Sequence, residues 1–184
     1  AYDDNGIIPF NPVVTSGDVV EAATGPWWPL SMEGTGLYRP LTAVSFTLEW
    51  EAFGENPLGF HLLNVLVHAL AALLVFLLLL ELGSVVGALA GGVVFAVHPL
   101  HTEAVANVVG RAELYAAVFF LAACLLYWRG RRWEGWRRIL RLLGLGFLYF
   151  LSLTGKEIGV TLPGVLLLLE LAAPRFLEGE VAPL

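Results

Sequence analysis

The chain has 184 residues, of which 58% are hydrophobic and only 14% are charged, and its mean hydropathy is +0.76. Soluble domains are about 45–50% apolar and about 25% charged, so this composition excludes an ordinary soluble domain and predicts an integral membrane protein. The net charge of −6 says little by itself, because charges in a membrane protein act by side. We expect a lipid bilayer around the chain and no nucleic-acid partner. The single cysteine, Cys124, cannot form an internal disulfide.

Residues 1–57 form a long polar loop that is rich in tryptophan and proline. Aromatic residues beside a membrane span favour the lipid–water interface. Residues 42–53 place Val44 and Leu48 on neighbouring helical positions, which predicts a short interfacial helix, with ordinary loop packing as the alternative. Because a polar segment opens a membrane protein, we expect an upstream helix to be missing and the chain to be a fragment.

Five apolar stretches follow this loop. A membrane-spanning helix needs about 20 predominantly apolar residues, so the fold class is predicted to be all-α, a polytopic transmembrane helix bundle with about five spans. The stretches are residues 58–82, 83–97, 112–128, 139–154 and 158–173. The second is short, and its Gly87-x-x-x-Gly91 spacing suits close helix packing, which favours a short buried span over a re-entrant hairpin.

Alternation of five spans gives each loop a side. Residues 1–57, residues 98–111 and the 154–157 turn share one side, here called the outer side. The Glu81-to-Ser84 turn, the 129–138 loop and the tail share the other. Six of the nine arginines lie in residues 129–141, and cytoplasmic loops carry the excess of Lys and Arg. We therefore predict one membrane domain with an outer loop at 1–57, a helical bundle at 58–173 and a cytoplasmic tail at 174–184.

The adjacent acids Asp3 and Asp4 stand in the outer loop. They are either part of a solvated turn or helix cap, or they include a general base or a metal ligand. Two neighbouring carboxylates disfavour joint ionisation, which raises the pKa of one of them toward useful basicity.

Three polar residues, His61, Asn64 and His68, share one face of the first predicted span because they are spaced i, i+3 and i+7. His68 lies about 10 Å deeper than His61 at about 1.5 Å per residue. Polar side chains in a span face the protein interior or a water-filled cavity. These three residues therefore make interhelical hydrogen bonds or line a substrate cavity.

A second polar group, His98, His101 and Glu103, follows the second predicted span. Pro99 stops the helix at His98, and residues 102–109 are predicted to form a short helix broken at Gly110. The spacing is not that of H-E-x-x-H, and the proline keeps the two histidines off a common helical face. We therefore expect no metal site and no cofactor, although a divalent metal remains an alternative.

The outer side has only three basic residues, Arg39, Arg111 and Lys156. Arg111 and Lys156 either clamp a phosphate group or are neutralised by neighbouring acids, with Glu113 beside Arg111 and Glu157 beside Lys156. The residues alone leave both alternatives open.

Six outer-side motifs occur in an order that resembles a known family. They are Asp3-Asp4, Tyr38-Arg39-Pro40-Leu41, His61-Leu62-Leu63-Asn64-Val65, His98-Pro99-Leu100-His101-Thr102-Glu103-Ala104-Val105, Gly110-Arg111-Ala112-Glu113-Leu114 and Lys156-Glu157-x-Gly159. Together they resemble the amino-terminal membrane region of the transmembrane O-mannosyltransferases that carry tetratricopeptide repeats and modify cadherins. The chain contains no repeat pattern of about 34 residues.

The resemblance implies inverting transfer of a hexose, expected to be mannose, from a polyprenyl-phosphate carrier to a hydroxyl acceptor, expected to be a protein Ser or Thr. It implies Asp3 or Asp4 as the general base, and it favours Arg111, Lys156 and Arg39 as the cations that receive the leaving phosphate. It also favours the remaining polar residues as cavity lining: His61, Asn64, His68, His98, His101, Glu103, Glu113 and Glu157. The chain by itself is expected to be inactive.

Two other function classes remain as alternatives to an enzyme. A transporter or flippase-like carrier of a lipid-linked anion would use the same basic residues, but such carriers usually have internal repeats. A non-catalytic membrane scaffold is the other. The preference for Arg over Lys predicts a bacterial plasma membrane with an outward-facing site, or the endoplasmic reticulum with a lumenal site if the source is eukaryotic.

Overall fold

The computed structural model describes residues 7–27 and 37–178, and all regular secondary structure in these ranges is helical. The α-helices are α1 (Pro12–Thr15), α2 (Val19–Thr24), α3 (Pro40–Phe53), α4 (Pro57–Leu82), α5 (Val85–Val97), α6 (Thr102–Ala106), α7 (Arg111–Gly130), α8 (Gly135–Gly155) and α9 (Leu162–Glu178). Short 3₁₀ turns occupy Pro99–His101, Val108–Gly110 and Glu157–Thr161. The predicted all-α class is confirmed.

The long helices form a bundle in which α7 is central. Helix α7 packs against α4 on one side and α8 on the other, and α5 packs on α4. Of the described helices, α4, α8 and Val108–Gly130 are long and apolar enough to cross a membrane. The pair Val85–Val97 and Pro99–Ala106, bent by 44°, is either a fourth, broken span or a re-entrant loop. The polytopic bundle is confirmed, with three or four candidate spans in place of the five predicted.

The fifth predicted stretch differs from its prediction. Residues 157–161 form a 3₁₀ turn, and α9 begins only at Leu162, so this helix has 17 residues. The fourth predicted stretch starts earlier than expected, since α8 begins at Gly135. Arg137, Arg138 and Arg141 are therefore helical residues, and the loop between α7 and α8 is correspondingly short.

Helix α5 packs closely on α4 through glycine, as predicted, but not through the expected pair. A Cβ on Gly91 would lie 2.4 Å from a methyl group of Leu79, and one on Gly92 would lie 3.0 Å from the Cβ of Phe76. A Cβ on Gly87 would meet only Ser84, its own helix cap. The close approach therefore rests on Gly91 and Gly92.

The predicted helix in the outer loop is present as α3, which begins at Pro40. Its Phe46 is fully buried in a cluster with Ile7, Val14, Trp27 and other apolar residues. Helix α3 packs on α1 and α2 and also contacts α4, α7 and α8. Burial of this face makes α3 a structural part of the outer end of the bundle, while lipid contact of its opposite face stays a prediction.

Contacts between charged residues group the helix ends as alternation predicts. Arg129 Nε donates to Glu81 Oε1 at 2.7 Å at one end of the bundle. At the other end Lys156 Nζ donates to Glu113 Oε1 at 2.5 Å. The ends of α4 and α7 therefore meet on one side, and the start of α7 meets the end of α8 on the other.

Candidate functional site

A polar pocket lies at the outer end of the bundle and gathers residues from four separate segments. Its volume is about 170 Å³, and it is lined by Ile7, Trp27, Arg39, Glu103, Ala104, Asn107, Val109, Gly110 and Glu113. Three of the residues predicted from sequence, Arg39, Glu103 and Glu113, thus share one cavity. Asp3 and Asp4 lie outside the described residues, and Ile7 follows Asp4 by three positions in the sequence.

Two ion pairs join the segments around this pocket. Arg39 Nη2 lies 3.1 Å from Glu157 Oε1, and Lys156 Nζ lies 2.5 Å from Glu113 Oε1. The carboxylates are more exposed than the cations, with Glu157 63% and Arg39 13% exposed. Neutralisation by an acid was one of the two alternatives for Lys156, but its partner is Glu113, 43 positions away, and the neighbouring Glu157 pairs with Arg39 instead.

The charge state of Glu157 follows from these contacts. A hydrogen bond from its own backbone N–H lowers the pKa of Glu157, partial burial opposes this, and the Arg39 guanidinium lowers the pKa further. The carboxylate is therefore ionised at neutral pH and keeps Arg39 paired. An incoming anion has to compete with a carboxylate for this cation.

Arg111 occupies a different environment from the other two cations, because it is completely buried. It forms an ion pair with Glu49 of α3. Its Nε donates to Asn64 Oδ1 at 2.8 Å, and its Nη2 donates to the Phe60 carbonyl oxygen at 2.8 Å. The guanidinium also stacks over Phe46 at 4.8 Å from the ring centroid. A guanidinium with these partners is not accessible to a lipid phosphate, so Arg111 connects α3, α4 and α7 instead.

Asn64 completes this buried network. Its Nδ2 lies within hydrogen-bonding distance of the carbonyl oxygens of Asn107 at 3.0 Å and Val105 at 3.2 Å. An unpaired buried polar group costs about 1–3 kcal/mol. Asn64 avoids this cost, because its oxygen accepts from Arg111 and its nitrogen donates to the 105–108 segment. Of the two alternatives for Asn64, the structure has interhelical hydrogen bonding.

The two histidines on the same face of α4 lie in separate places. His61 is exposed and lines a second cavity of about 480 Å³ together with Trp50, Glu55 and Phe60. His68 Nε2 lies 3.0 Å from the Ala96 carbonyl oxygen of α5. The three predicted polar residues of this helix therefore serve three different neighbours and do not line one cavity.

His98 and His101 belong to a ring cluster at the end of α5. The His101 ring centroid lies 4.3 Å from that of Phe95, 5.3 Å from that of His68 and 6.1 Å from that of His98. His98 Nδ1 accepts a hydrogen bond from the Leu100 N–H and caps the 3₁₀ turn. The predicted helix stop at His98 is confirmed, but the helix after it ends at Ala106 and does not reach Val109. Within the ranges described, no three His, Cys, Asp or Glu side chains are arranged to hold a metal ion.

An apolar groove adjoins the polar pocket. It has a volume of about 350 Å³ and is lined by Glu113, Ala116, Ala117, Phe120, Lys156, Ile158 and Thr161. Glu113 lines both cavities. The Lys156–Glu113 ion pair therefore stands where a polar compartment meets an apolar one.

Sequence reasoning missed two residues of this end of the molecule, Glu49 and Asn107. Glu49 is 6% exposed and is the acid that pairs with Arg111, and Asn107 lines the polar pocket. A usable signal for Glu49 was present, since Thr42, Phe46 and Glu49 follow i, i+4 and i+7 spacing and all three are buried. No comparable pattern marks Asn107.

Comparison with known proteins decides the family. Protein O-mannosyl-transferase Tmtc2 of Drosophila melanogaster is 40% identical over 189 aligned positions, which cover 98% of the chain and 20% of that protein. The chain belongs to the family of the Tmtc protein O-mannosyl-transferases. Drosophila Tmtc1 is 45% identical over 72% of the chain, and human TMTC3 is 40% identical over 70% of the chain. The resemblance seen in the six motifs is confirmed.

The family members are much longer than the chain. It spans 20% of Drosophila Tmtc2, 16% of Tmtc1 and 14% of human TMTC3. No family model matches the sequence, and no solved structure matches it.

Proposed function

We propose that the chain is the donor-binding part of a membrane glycosyltransferase that moves a hexose from polyprenyl phosphate to a protein Ser or Thr hydroxyl, and the names of its relatives indicate that the hexose is mannose. The observation that carries this proposal is the junction at Glu113 between a polar pocket and an apolar groove. An amphiphilic donor needs both kinds of surface side by side, because its chain is apolar and its phosphate sugar is polar. The names of the relatives supply the reaction class.

In this proposal each part of the donor occupies one of the two cavities. The polyprenyl chain lies in the groove beside Ala116, Ala117 and Phe120, where it is shielded from water. The phosphate binds the Lys156 ammonium at the groove and displaces the Glu113 carboxylate from it. The sugar then points into the pocket lined by Arg39 and Glu103. Arg111 has no part in this contact, since it is buried.

The chemistry is one displacement at the anomeric carbon. The acceptor hydroxyl oxygen forms a bond to this carbon from the face opposite the phosphate, and the carbon–oxygen bond to the phosphate breaks, so the configuration inverts. A carboxylate of Asp3 or Asp4 takes the hydroxyl proton, and the cation at Lys156 stabilises the charge that develops on the leaving phosphate. The position of the acidic pair supports this role, because Asp4 precedes Ile7 by three positions in the sequence and Ile7 lines the pocket.

We propose that the reaction needs no divalent metal and that the site faces the side opposite the arginine-rich segment, outward in a bacterial plasma membrane or lumenal in the endoplasmic reticulum. His98 and His68 have protein partners, since His98 Nδ1 accepts from the Leu100 N–H and His68 Nε2 lies 3.0 Å from the Ala96 carbonyl oxygen. Chelation with EDTA should therefore leave transfer unchanged. Loss of transfer that added Mg²⁺ or Mn²⁺ restores would contradict the metal-free proposal.

The test is transfer of labelled mannose from polyprenyl-phosphate-mannose by membranes that contain the full-length parent protein. Asp3→Asn and Asp4→Asn are compared with Asp18→Asn, which makes the same charge change. Asp18 caps α2, and Asn caps as well as Asp does, so this control should keep full activity. Loss of transfer in one variant at equal expression identifies the base. Transfer that survives in both removes the acidic pair from the mechanism, and an inactive parent favours the carrier or the scaffold.

A further inference from the structure

A second cavity with charged walls lies at the opposite end of the bundle, where α7 passes into α8. It has a volume of about 430 Å³, and its walls include Arg131, Arg132, Trp133, Glu134, Arg138 and Arg141. Four arginines thus line a space whose one acidic lining residue is Glu134. Neither the transfer reaction nor the donor proposal uses this cavity.

The charges of this cavity are not balanced among the residues that the structure describes. Among residues 7–27 and 37–178, none of the four arginines forms a salt bridge, whereas neighbouring Arg129 is paired with Glu81. Arg131 Nη1 and Arg141 Nε are buried and have no hydrogen-bond acceptor in the same ranges. Converging like charges repel one another, and a buried donor without an acceptor is costly. An anion in the cavity relieves both penalties.

Two of the four guanidinium groups, those of Arg131 and Arg141, are held in place before any anion arrives. Arg141 Nη1 donates to the Gly130 carbonyl oxygen at 2.9 Å, and the Arg131 guanidinium lies 4.1 Å from the ring centroid of Trp128. Gly130 permits this position of Arg141, because a Cβ there would lie 2.6 Å from Arg141 Cδ. Preorganised side chains lose less conformational entropy when a ligand binds.

The surroundings of the cavity indicate which anion it takes. The cavity lies between the end of α7 and the start of α8. Both helices are long and apolar enough to cross a membrane, so the cavity lies at the level of the lipid headgroups. Exposed apolar side chains continue from it along α8, with Trp136 66%, Ile139 60% and Leu143 65% exposed. Tryptophan at this level is typical of the membrane interface. A phosphate carried on acyl chains matches the cavity and the adjoining apolar surface together.

We propose that this arginine cavity binds the phosphate group of an anionic glycerophospholipid from the leaflet on the arginine side, with its acyl chains along the start of α8. Arginine favours phosphate because its planar donors match the oxygens in pairs. The site is separate from the donor site, and its failure would leave the proposed function untouched.

The test measures lipid binding to the purified full-length parent in detergent by native mass spectrometry, with phosphatidylglycerol and phosphatidylcholine of identical acyl chains. Arg132→Gln/Arg138→Gln removes two cavity charges. Arg129→Gln/Arg137→Gln removes two charges from the same segment outside the cavity and is the matched control. Gly130→Ala displaces Arg141 without any change of charge.

We expect one phosphatidylglycerol to be retained at least about tenfold more strongly than phosphatidylcholine, since two charge-assisted contacts are involved. This preference should fall about tenfold in the cavity variant and in Gly130→Ala, and stay within about twofold in the control. Equal losses in the two double variants would overturn the proposal in favour of diffuse attraction. Displacement of the lipid by equimolar inorganic phosphate would overturn it in favour of a free anion.

Discussion

The two charged ends of the bundle differ in whether their cations are paired with acids of the chain. At the outer end each cation has an acid partner within the chain: Glu49 for Arg111, Glu157 for Arg39 and Glu113 for Lys156. At the arginine end four guanidinium groups share a cavity whose one acid is Glu134, and none forms a salt bridge within the described ranges. The three cations of the outer end are thus neutralised by carboxylates of the chain itself, whereas the four arginines of the cavity are left for the proposed lipid phosphate to neutralise.

This difference separates the roles of cations that look alike in sequence. Arg111 is a structural residue because it is buried with all its partners inside the protein. Lys156 is 27% exposed, and its pairing with Glu113 is exchangeable at the edge of a groove. An ion pair at a surface contributes about 0–1 kcal/mol, so a charged ligand displaces it at little cost.

The largest effect is expected when the buried pair is broken. Glu49→Leu leaves the Arg111 charge buried and unpaired, which should lower the free energy of unfolding by about 3–5 kcal/mol. Arg111→Met/Glu49→Leu removes both charges, and replacing a buried pair by apolar residues is often neutral, so it should recover more than half of this loss. Titration of the purified full-length parent and of the two variants with sodium dodecyl sulfate measures these differences in the free energy of unfolding. A double variant no more stable than Glu49→Leu alone would show that the pair is not a unit.

The next effect concerns the donor. Lys156→Gln should raise KM for polyprenyl-phosphate-mannose about tenfold, which corresponds to about 1.4 kcal/mol and is modest for a hydrogen bond to a charged group. Glu113→Gln breaks the same ion pair but leaves the ammonium available, so KM should stay the same or fall. If both variants raise KM equally, the pair has only a structural role and Lys156 does not bind the phosphate.

The smallest effect is a pH dependence at Glu157. Because the pKa of Glu157 is lowered in the folded protein from its usual 4.5, its contribution to stability is fully present above about pH 4.5 and is lost as the pH falls through the lowered value. Wild type and Glu157→Gln should differ by at most about 1 kcal/mol at pH 7 and converge as the pH falls through the lowered pKa. A difference that grows on acidification has the wrong sign for this contact.

Much of the fold was predictable because it depends on local pattern. Apolar length located α4, α7 and α8, and Pro99 located the end of α5. Exact starts were less predictable, since Gly135 adopts φ +55° and opens α8 among arginines that resemble a polar loop in sequence. No charged residue lies between Glu157 and the start of α9 at Leu162, so the apolar pattern does not separate the 3₁₀ turn at residues 157–161 from the helix.

The pairing of charges was not predictable, because it depends on which helix ends meet. Arg111 has Glu113 two residues away, yet its partner is Glu49, 62 positions distant. Neighbours at i and i+2 do not face each other on a helix, which explains why Glu113 is free to pair with Lys156. The sequence thus indicated which residues gather at the outer end but not which of them neutralise one another.

Both proposed binding sites require the two charged ends to face opposite sides of a membrane. Thr102 lies at the outer end and Glu134 at the arginine end, and both are exposed. In intact cells expressing the full-length parent, with Cys124 replaced by Ala, Thr102→Cys should react with an impermeant maleimide and Glu134→Cys should react only after lysis, provided that the outer side faces the medium. Reaction of both cysteines from one side would contradict the opposed ends, and with them the placement of donor and anionic lipid.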